Sequence, residues 1–94
     1  MQKNTSVYRY EFKLDSKKIQ MPEGAVVLEA IPSLKEPKVH LYAMVDTTAP
    51  LEDRYFVFVK TGEPMPEKMW DARHLLSLMG GHLFEVSAEL AFQF

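Results

Sequence analysis

Val7-Tyr8-Arg9-Tyr10-Glu11-Phe12-Lys13-Leu14 alternates without a break: Tyr8, Tyr10, Phe12 and Leu14 fall on one side, Val7, Arg9, Glu11 and Lys13 on the other. A two-residue period belongs to an extended chain with one buried face, because successive side chains of a strand point in opposite directions. The period returns over residues 39–45, placing Val39, Leu41, Ala43 and Val45 inward and His40, Tyr42 and Met44 outward. That outward set is unusually apolar for a solvated face. Residues 54–60 are different: Tyr55, Phe56, Val57, Phe58 and Val59 follow in succession, so the strand they form is expected at the centre of a sheet, covered on both sides. Residues 25–31, apolar on both sides apart from Glu29, read in the same way as an inner strand, stopped by Pro32.

Turn signals separate these runs. Asp15-Ser16-Lys17-Lys18 is polar, and Ile19-Gln20-Met21 is a short extended piece that ends at Pro22-Glu23-Gly24, a tight-turn pattern. Residues 46–53, with two threonines and Pro50, read as a loop; Thr61-Gly62-Glu63-Pro64-Met65-Pro66 has too many breakers for a regular element. Residues 67–79 admit two readings. Pro66 at a first helical position, Glu67 and Asp71 in the opening turn and Gly80 beyond the end suit a helix. Alternatively a helical turn ends near Asp71, a strand starts at Arg73, and Gly80-Gly81 is a two-residue hairpin turn into residues 82–92, with Leu76, Leu78, Leu83 and Val86 facing a core.

A chain of 94 residues has material for one domain and one core, residues 1–94. At 47% apolar and 26% charged residues it lies away from the disordered regime. With no cysteine, disulfide scaffolds, thiol catalysis and thiolate zinc sites are excluded. No apolar run reaches the roughly 18 residues of a membrane span, and residues 1–20 mix charge with aromatics, so a cytoplasmic protein without membrane association is expected. Eleven basic against thirteen acidic side chains argue against direct nucleic-acid binding by phosphate neutralisation. The charge is uneven: residues 1–38 hold seven basic and five acidic side chains (7 − 5 = +2), residues 39–94 four and eight (4 − 8 = −4).

No catalytic set stands out. His40, His74 and His82 lack the spacing that places two ligands on one helical face, and in a hairpin about Gly80-Gly81 the last two are expected too far apart to chelate together, so neither metal nor cofactor is expected. A nucleophile elbow and a phosphate-cradling glycine loop are both missing. Two surfaces remain as binding candidates. Trp70 with Met69 and Met65 joins a rigid aromatic area to adaptable thioethers, as contact surfaces do, and Tyr42 and His40 lie on the apolar outward side of their strand. As the alternative, Lys60 and Thr61 with Arg54 offer cations and a hydroxyl for an anion.

Ile19-Gln20-Met21-Pro22-Glu23-Gly24-Ala25, Leu41-Tyr42-Ala43-Met44-Val45-Asp46, Thr61-Gly62 with Pro64 and Pro66, and Gly80-Gly81 with Leu83-Phe84-Glu85-Val86 together resemble a family of short uncharacterised phage and prophage proteins. Its pattern has a Gln-x-x-Met-Pro-x-Gly-Ala turn, a Leu-(Trp/Tyr)-Ala-x-Val-Asp strand, a Gly-Thr-Gly-His-type turn and a closing β-hairpin. Where that family has Gly-Thr-Gly-His, this chain has Lys60-Thr61-Gly62-Glu63, so no role passes to a histidine there. The resemblance covers about residues 7–86, favours the hairpin over the helix for residues 73–92, and implies an accessory protein made during infection that occupies a host protein, such as a host-defence factor. The expected architecture is mainly β: a small antiparallel sandwich or partly open barrel of five to seven strands with at most one short helix. The expected function is non-enzymatic protein–protein contact, including a homodimer; the alternative is a sponge or carrier for a small nucleotide or other anion, with a minor virion component ranked below both.

Overall fold

The computed structural model describes residues 4–94, as seven strands, a 3-10 turn and one short helix. The strands are β1 (Thr5–Lys13), β2 (Lys18–Pro22), β3 (Val26–Pro32), β4 (Lys38–Asp46), β5 (Leu51–Lys60), β6 (Arg73–Leu78) and β7 (Gly81–Val86); the 3-10 turn is Glu67–Asp71 and α1 is Ala88–Ala91. They form two antiparallel sheets, β1-β4-β3 and β2-β5-β7-β6, and no closed barrel, which makes the fold a small β-sandwich.

The alternation fixes the faces as expected. Val39, Leu41, Ala43 and Val45 of β4 and Phe12 of β1 are buried in the main core, where Phe56, Met21 and Leu83 of the second sheet meet them. The rings of Phe12 and Phe56 lie 5.3 Å apart at 56°, a tilted pair that joins the two sheets. Each such side chain taken fully out of water contributes about 1.5–3 kcal/mol. β5 is central, as its unbroken apolar run requires: Phe56 and Phe58 enter the main core, while Tyr55, Val57 and Val59 face a second, smaller core on the outer side of the second sheet. Met69 of the 3-10 turn and Leu90 and Ala91 of α1 cap that outer side. The molecule is therefore layered as first sheet, second sheet, then a thin helical cover over part of the second sheet.

Four expectations need correction. β3 is an edge strand, not an inner one; a β-bulge between Val27 and Glu29 breaks its alternation, so that Val26, Leu28 and Ile31 stay exposed on the outer face. The loop after β4 ends at Pro50, because Leu51-Glu52-Asp53 pairs with β2 and extends β5. The ambiguous stretch resolves into a 3-10 turn and a hairpin, but the two turn residues are Met79 (φ 50°) and Gly80 (φ 74°), with Gly81 already paired to Leu78. Two consecutive positive φ values are those of a type I′ turn, whose twist matches the strands it joins. Finally, β7 stops at Val86: the Ser87 hydroxyl accepts a hydrogen bond from the Leu90 N–H at 3.2 Å and opens α1, so the hairpin does not run to Phe92.

Two arginines fasten the sheets together. Arg54 donates through Nε to Glu85 at 2.7 Å and through Nη1 to the Ala25 carbonyl at 2.6 Å, and Arg73 donates to the Val27 carbonyl at 2.7 Å. The carbonyls at the start of edge strand β3 thus find donors on the opposite sheet, where they would otherwise be left unpaired.

Candidate functional site

The outer face of the second sheet gathers most of the chemistry-bearing side chains. The 3-10 turn begins after Pro66, whose fixed φ suits the position, and its neighbouring residues Met69 and Trp70 face in different directions. Met69 points down and is 6% exposed, a core residue and not the contact residue expected of it. Trp70 points away and is 92% exposed. With Met65, Pro66, Glu67 and Phe84 these residues border a groove of about 340 Å³.

Phe84 links this groove to the two histidines of the hairpin. The His74 ring stands edge-on to Phe84, with centroids 5.3 Å apart, and His74 Nε2 lies 3.4 Å from His82 Nδ1. The expectation that these two imidazoles lie too far apart to act together is overturned. The cause is a β-bulge in β6: the register shifts between His74 and Leu76, so Leu75 is an extra residue. In a regular strand, positions 74 and 77 would face opposite sides. With the bulge, His74 and Ser77 share the outer face, and Ser77 lies directly across from His82. The Ser77 hydroxyl is 2.8 Å from His82 Nδ1 and 3.2 Å from His74 Nε2, and Thr61 Oγ1 is 3.1 Å from His82 Nε2. The doubled Leu75-Leu76, both turned toward the main core, is the sequence trace of this bulge.

Tyr42 and His40 lie elsewhere. They project from β4 on the outer face of the first sheet, opposite to the face that carries Trp70, so the expected contact residues divide into two surfaces. On that face Tyr42 has Arg9 on one side and Glu29 on the other in strand register; Met44 has Val7 and Val26; His40 has Glu11 and Ile31. Among the described residues neither Arg9 nor Glu29 is in a salt bridge, whereas the nearby Lys38 pairs with both Glu11 and Glu36. His40 Nδ1 is buried without a hydrogen-bond partner.

The residues of the anion alternative do not converge. Arg54 starts the central part of β5 and Lys60 ends it, six residues or about 20 Å along an extended strand. Arg54 is also saturated by Glu85 and the Ala25 carbonyl. At the other end, the Lys60 N–H donates to the Glu63 carboxylate at 2.7 Å, so the turn holds an acidic group of its own where an anion would have to enter. A concavity of about 610 Å³ between the β1–β2 and β3–β4 connections is lined by Lys13, Leu14, Asp15, Glu36, Pro37 and Lys38; of its two cations Lys38 is already held by carboxylates, and Asp15 and Glu36 share the lining. Among the described residues no three His, Asp or Glu side chains come together around a point that would hold an ion. No helix of the described residues is long and apolar enough to cross a membrane.

No curated protein and no solved structure is significantly similar to this chain. A family model does match, over residues 3–91, so nearly the whole chain, with both sheets and the His74–His82 hairpin, belongs to the family described as a domain of unknown function, DUF7352.

Proposed function

We propose that this chain is a non-enzymatic accessory protein of phage type that acts by protein–protein contact in the host cytoplasm, occupying a host protein such as a defence or regulatory factor. The observation that carries the contact reading is Trp70, 92% exposed on a turn anchored by buried Met69, with Met65, 46% exposed, beside it. A large indole held in solvent is costly for a small domain and is matched when a partner covers it, where tryptophan is among the strongest contributors to affinity. The pinned 3-10 turn also keeps the ordering cost of binding low, because Met69 already anchors it in the outer core.

A second copy of the chain is the proposed partner for the other surface. The outer face of the first sheet is an open layer with Val7, Val26, Leu28, Ile31 and Met44 exposed on it. A two-fold axis lying in that face and running along β4 through Tyr42 superposes β1 on β3 of the partner subunit. Arg9 then meets Glu29 of the partner subunit, and Val7 meets the partner's Val26, in both directions. An axis across the strands would set Arg9 against the partner's Arg9. Charge complementarity favours the first arrangement, an aligned packing of two sheets.

Native mass spectrometry of complexes recovered from the host tests the contact reading. The expected result is a dimer carrying a bound protein, which Trp70→Ala removes without moving the thermal transition. A bound small nucleotide that is lost with Lys60→Ala and retained with Trp70→Ala would establish the anion alternative instead.

A further inference from the structure

We infer that His74, His82 and Ser77 form a binding site for one divalent transition-metal ion of the zinc and copper class. Two imidazole nitrogens bound to one tetrahedral ion at about 2.0–2.1 Å stand about 3.3–3.4 Å apart. His74 Nε2 and His82 Nδ1 are 3.4 Å apart. That separation is long for a hydrogen bond, whose usual range ends near 3.2 Å, and it is the separation that chelation requires. The pair is therefore better arranged for a shared ion than for a shared proton.

Three further features support the ion. His82 Nε2 meets Thr61 Oγ1 at 3.1 Å, and when Nε2–H donates to that oxygen, the Nδ1 lone pair is left to accept from the Ser77 hydroxyl, 2.8 Å away, or to bind an ion beside it. Such an outer partner fixes the tautomer and the ring orientation of a ligating histidine. The Ser77 hydroxyl, within 3.2 Å of both nitrogens, supplies an oxygen on the same side, and the exposure of His74 and Ser77 leaves room for water in the remaining position. The ligands stand on a paired hairpin, so little ordering is needed: His82 is held in register with both Ser77 of β6 and Val59 of β5. Imidazole donors suit zinc, copper and nickel and do not suit magnesium or calcium.

Zinc titration of the untagged full chain at neutral pH, followed by calorimetry and by histidine side-chain NMR, tests the inference. The expected result is one saturable Zn²⁺ per chain, with the His74 and His82 ring signals shifting and the His40 ring unmoved. His74→Ala and His82→Ala each abolish that binding while the thermal transition of the metal-free protein stays in place; His40→Ala leaves it intact. Thr61→Val weakens binding about tenfold or more, by releasing the His82 ring from its orienting partner. Magnesium gives no saturable heat. The inference is overturned if no saturable zinc binding occurs, or if binding survives His74→Ala.

Discussion

The ring of Phe58 fills the space that a Cβ on Gly81 would need. Such a Cβ would overlap the ring tip and would also lie 2.8 Å from the Val59 carbonyl oxygen, which the paired backbone cannot move. Gly81 is buried in β7, next to the turn, and its φ is not in the left-handed region; its requirement is space. Gly80 is the reverse case, with φ of 74° and open space around it.

Gly81→Ala is accordingly expected to destabilise by about 1–3 kcal/mol through overpacking. Gly80→Ala should cost about 1 kcal/mol, the penalty of a left-handed backbone alone. For a domain of this size each kcal/mol lowers the melting temperature by roughly 4–8 °C. Adding Phe58→Leu to Gly81→Ala should recover only part of the loss, because the Val59 carbonyl stays where it is. Thermal and urea unfolding of the three variants measure this; full recovery in the double variant would show that the ring alone sets the requirement.

Arg54 has a structural role, and its removal should act on stability. Its side chain is 18% exposed and that of Glu85 15%, and the guanidinium also carries the Ala25 carbonyl. Arg54→Met strands both acceptors and is expected to cost about 2–3 kcal/mol, below the figure for a wholly buried pair because some solvent reaches it. Arg54→Lys recovers little, since one ammonium cannot reproduce the fork. Arg54→Met with Glu85→Leu should be more stable than Arg54→Met alone, as judged by urea midpoints.

The strands were legible where one rule acted alone. The alternation in β1 and β4 gave the correct buried faces, and the apolar run of β5 its central position, because burial on one side or both is written directly into residue order. Misreadings arose where backbone irregularity intervened. Two bulges, at Leu28 and at Leu75, each add a residue that alternation does not count; one turned an apolar run into an exposed edge, the other brought His74 to His82. The hairpin turn was displaced by one residue because two adjacent glycines serve different needs, Gly80 a dihedral angle and Gly81 a close contact. Within the Trp70 region, helical phase decided that Met69 is buried and Trp70 exposed, which residue type alone does not reveal.

Asp46 should titrate below the usual aspartate value. The Thr48 hydroxyl and then the Thr48 N–H donate to Oδ1, at 2.7 and 2.9 Å, and hold the carboxylate in its charged form. A folded value depressed below the unfolded one means that the stabilisation is present above the unfolded value, about 3.9, and is lost as pH falls through the folded value. Carboxyl NMR titration is expected to show a midpoint below that of a free aspartate, and Thr48→Val should move it upward while leaving the N–H contribution. A midpoint unchanged by Thr48→Val would mean that the hydroxyl bond does not persist in solution.

Charge reversal tests the proposed dimer and its orientation together. With the two-fold axis along β4, Arg9→Glu places a glutamate against Glu29 of the partner subunit at two symmetric positions, and Glu29→Arg does the same with arginines. Each single reversal should therefore weaken association, and because the pairs lie at the edges of an apolar face, a loss of about 1 kcal/mol per pair, or roughly 2 kcal/mol per dimer, is expected. That is a factor of about thirty in the dissociation constant. The double variant Arg9→Glu, Glu29→Arg restores complementarity and should return the constant toward its original value. Under the crossed axis, by contrast, each single reversal merely exchanges one like-charge contact for another and leaves association unchanged. Met44→Asp, at the centre of the apolar row, should dissociate the dimer under either axis without disturbing the fold, since Met44 is exposed and off the core face of β4. Sedimentation equilibrium of the five proteins distinguishes these patterns, and a monomer throughout would dispose of the dimer altogether.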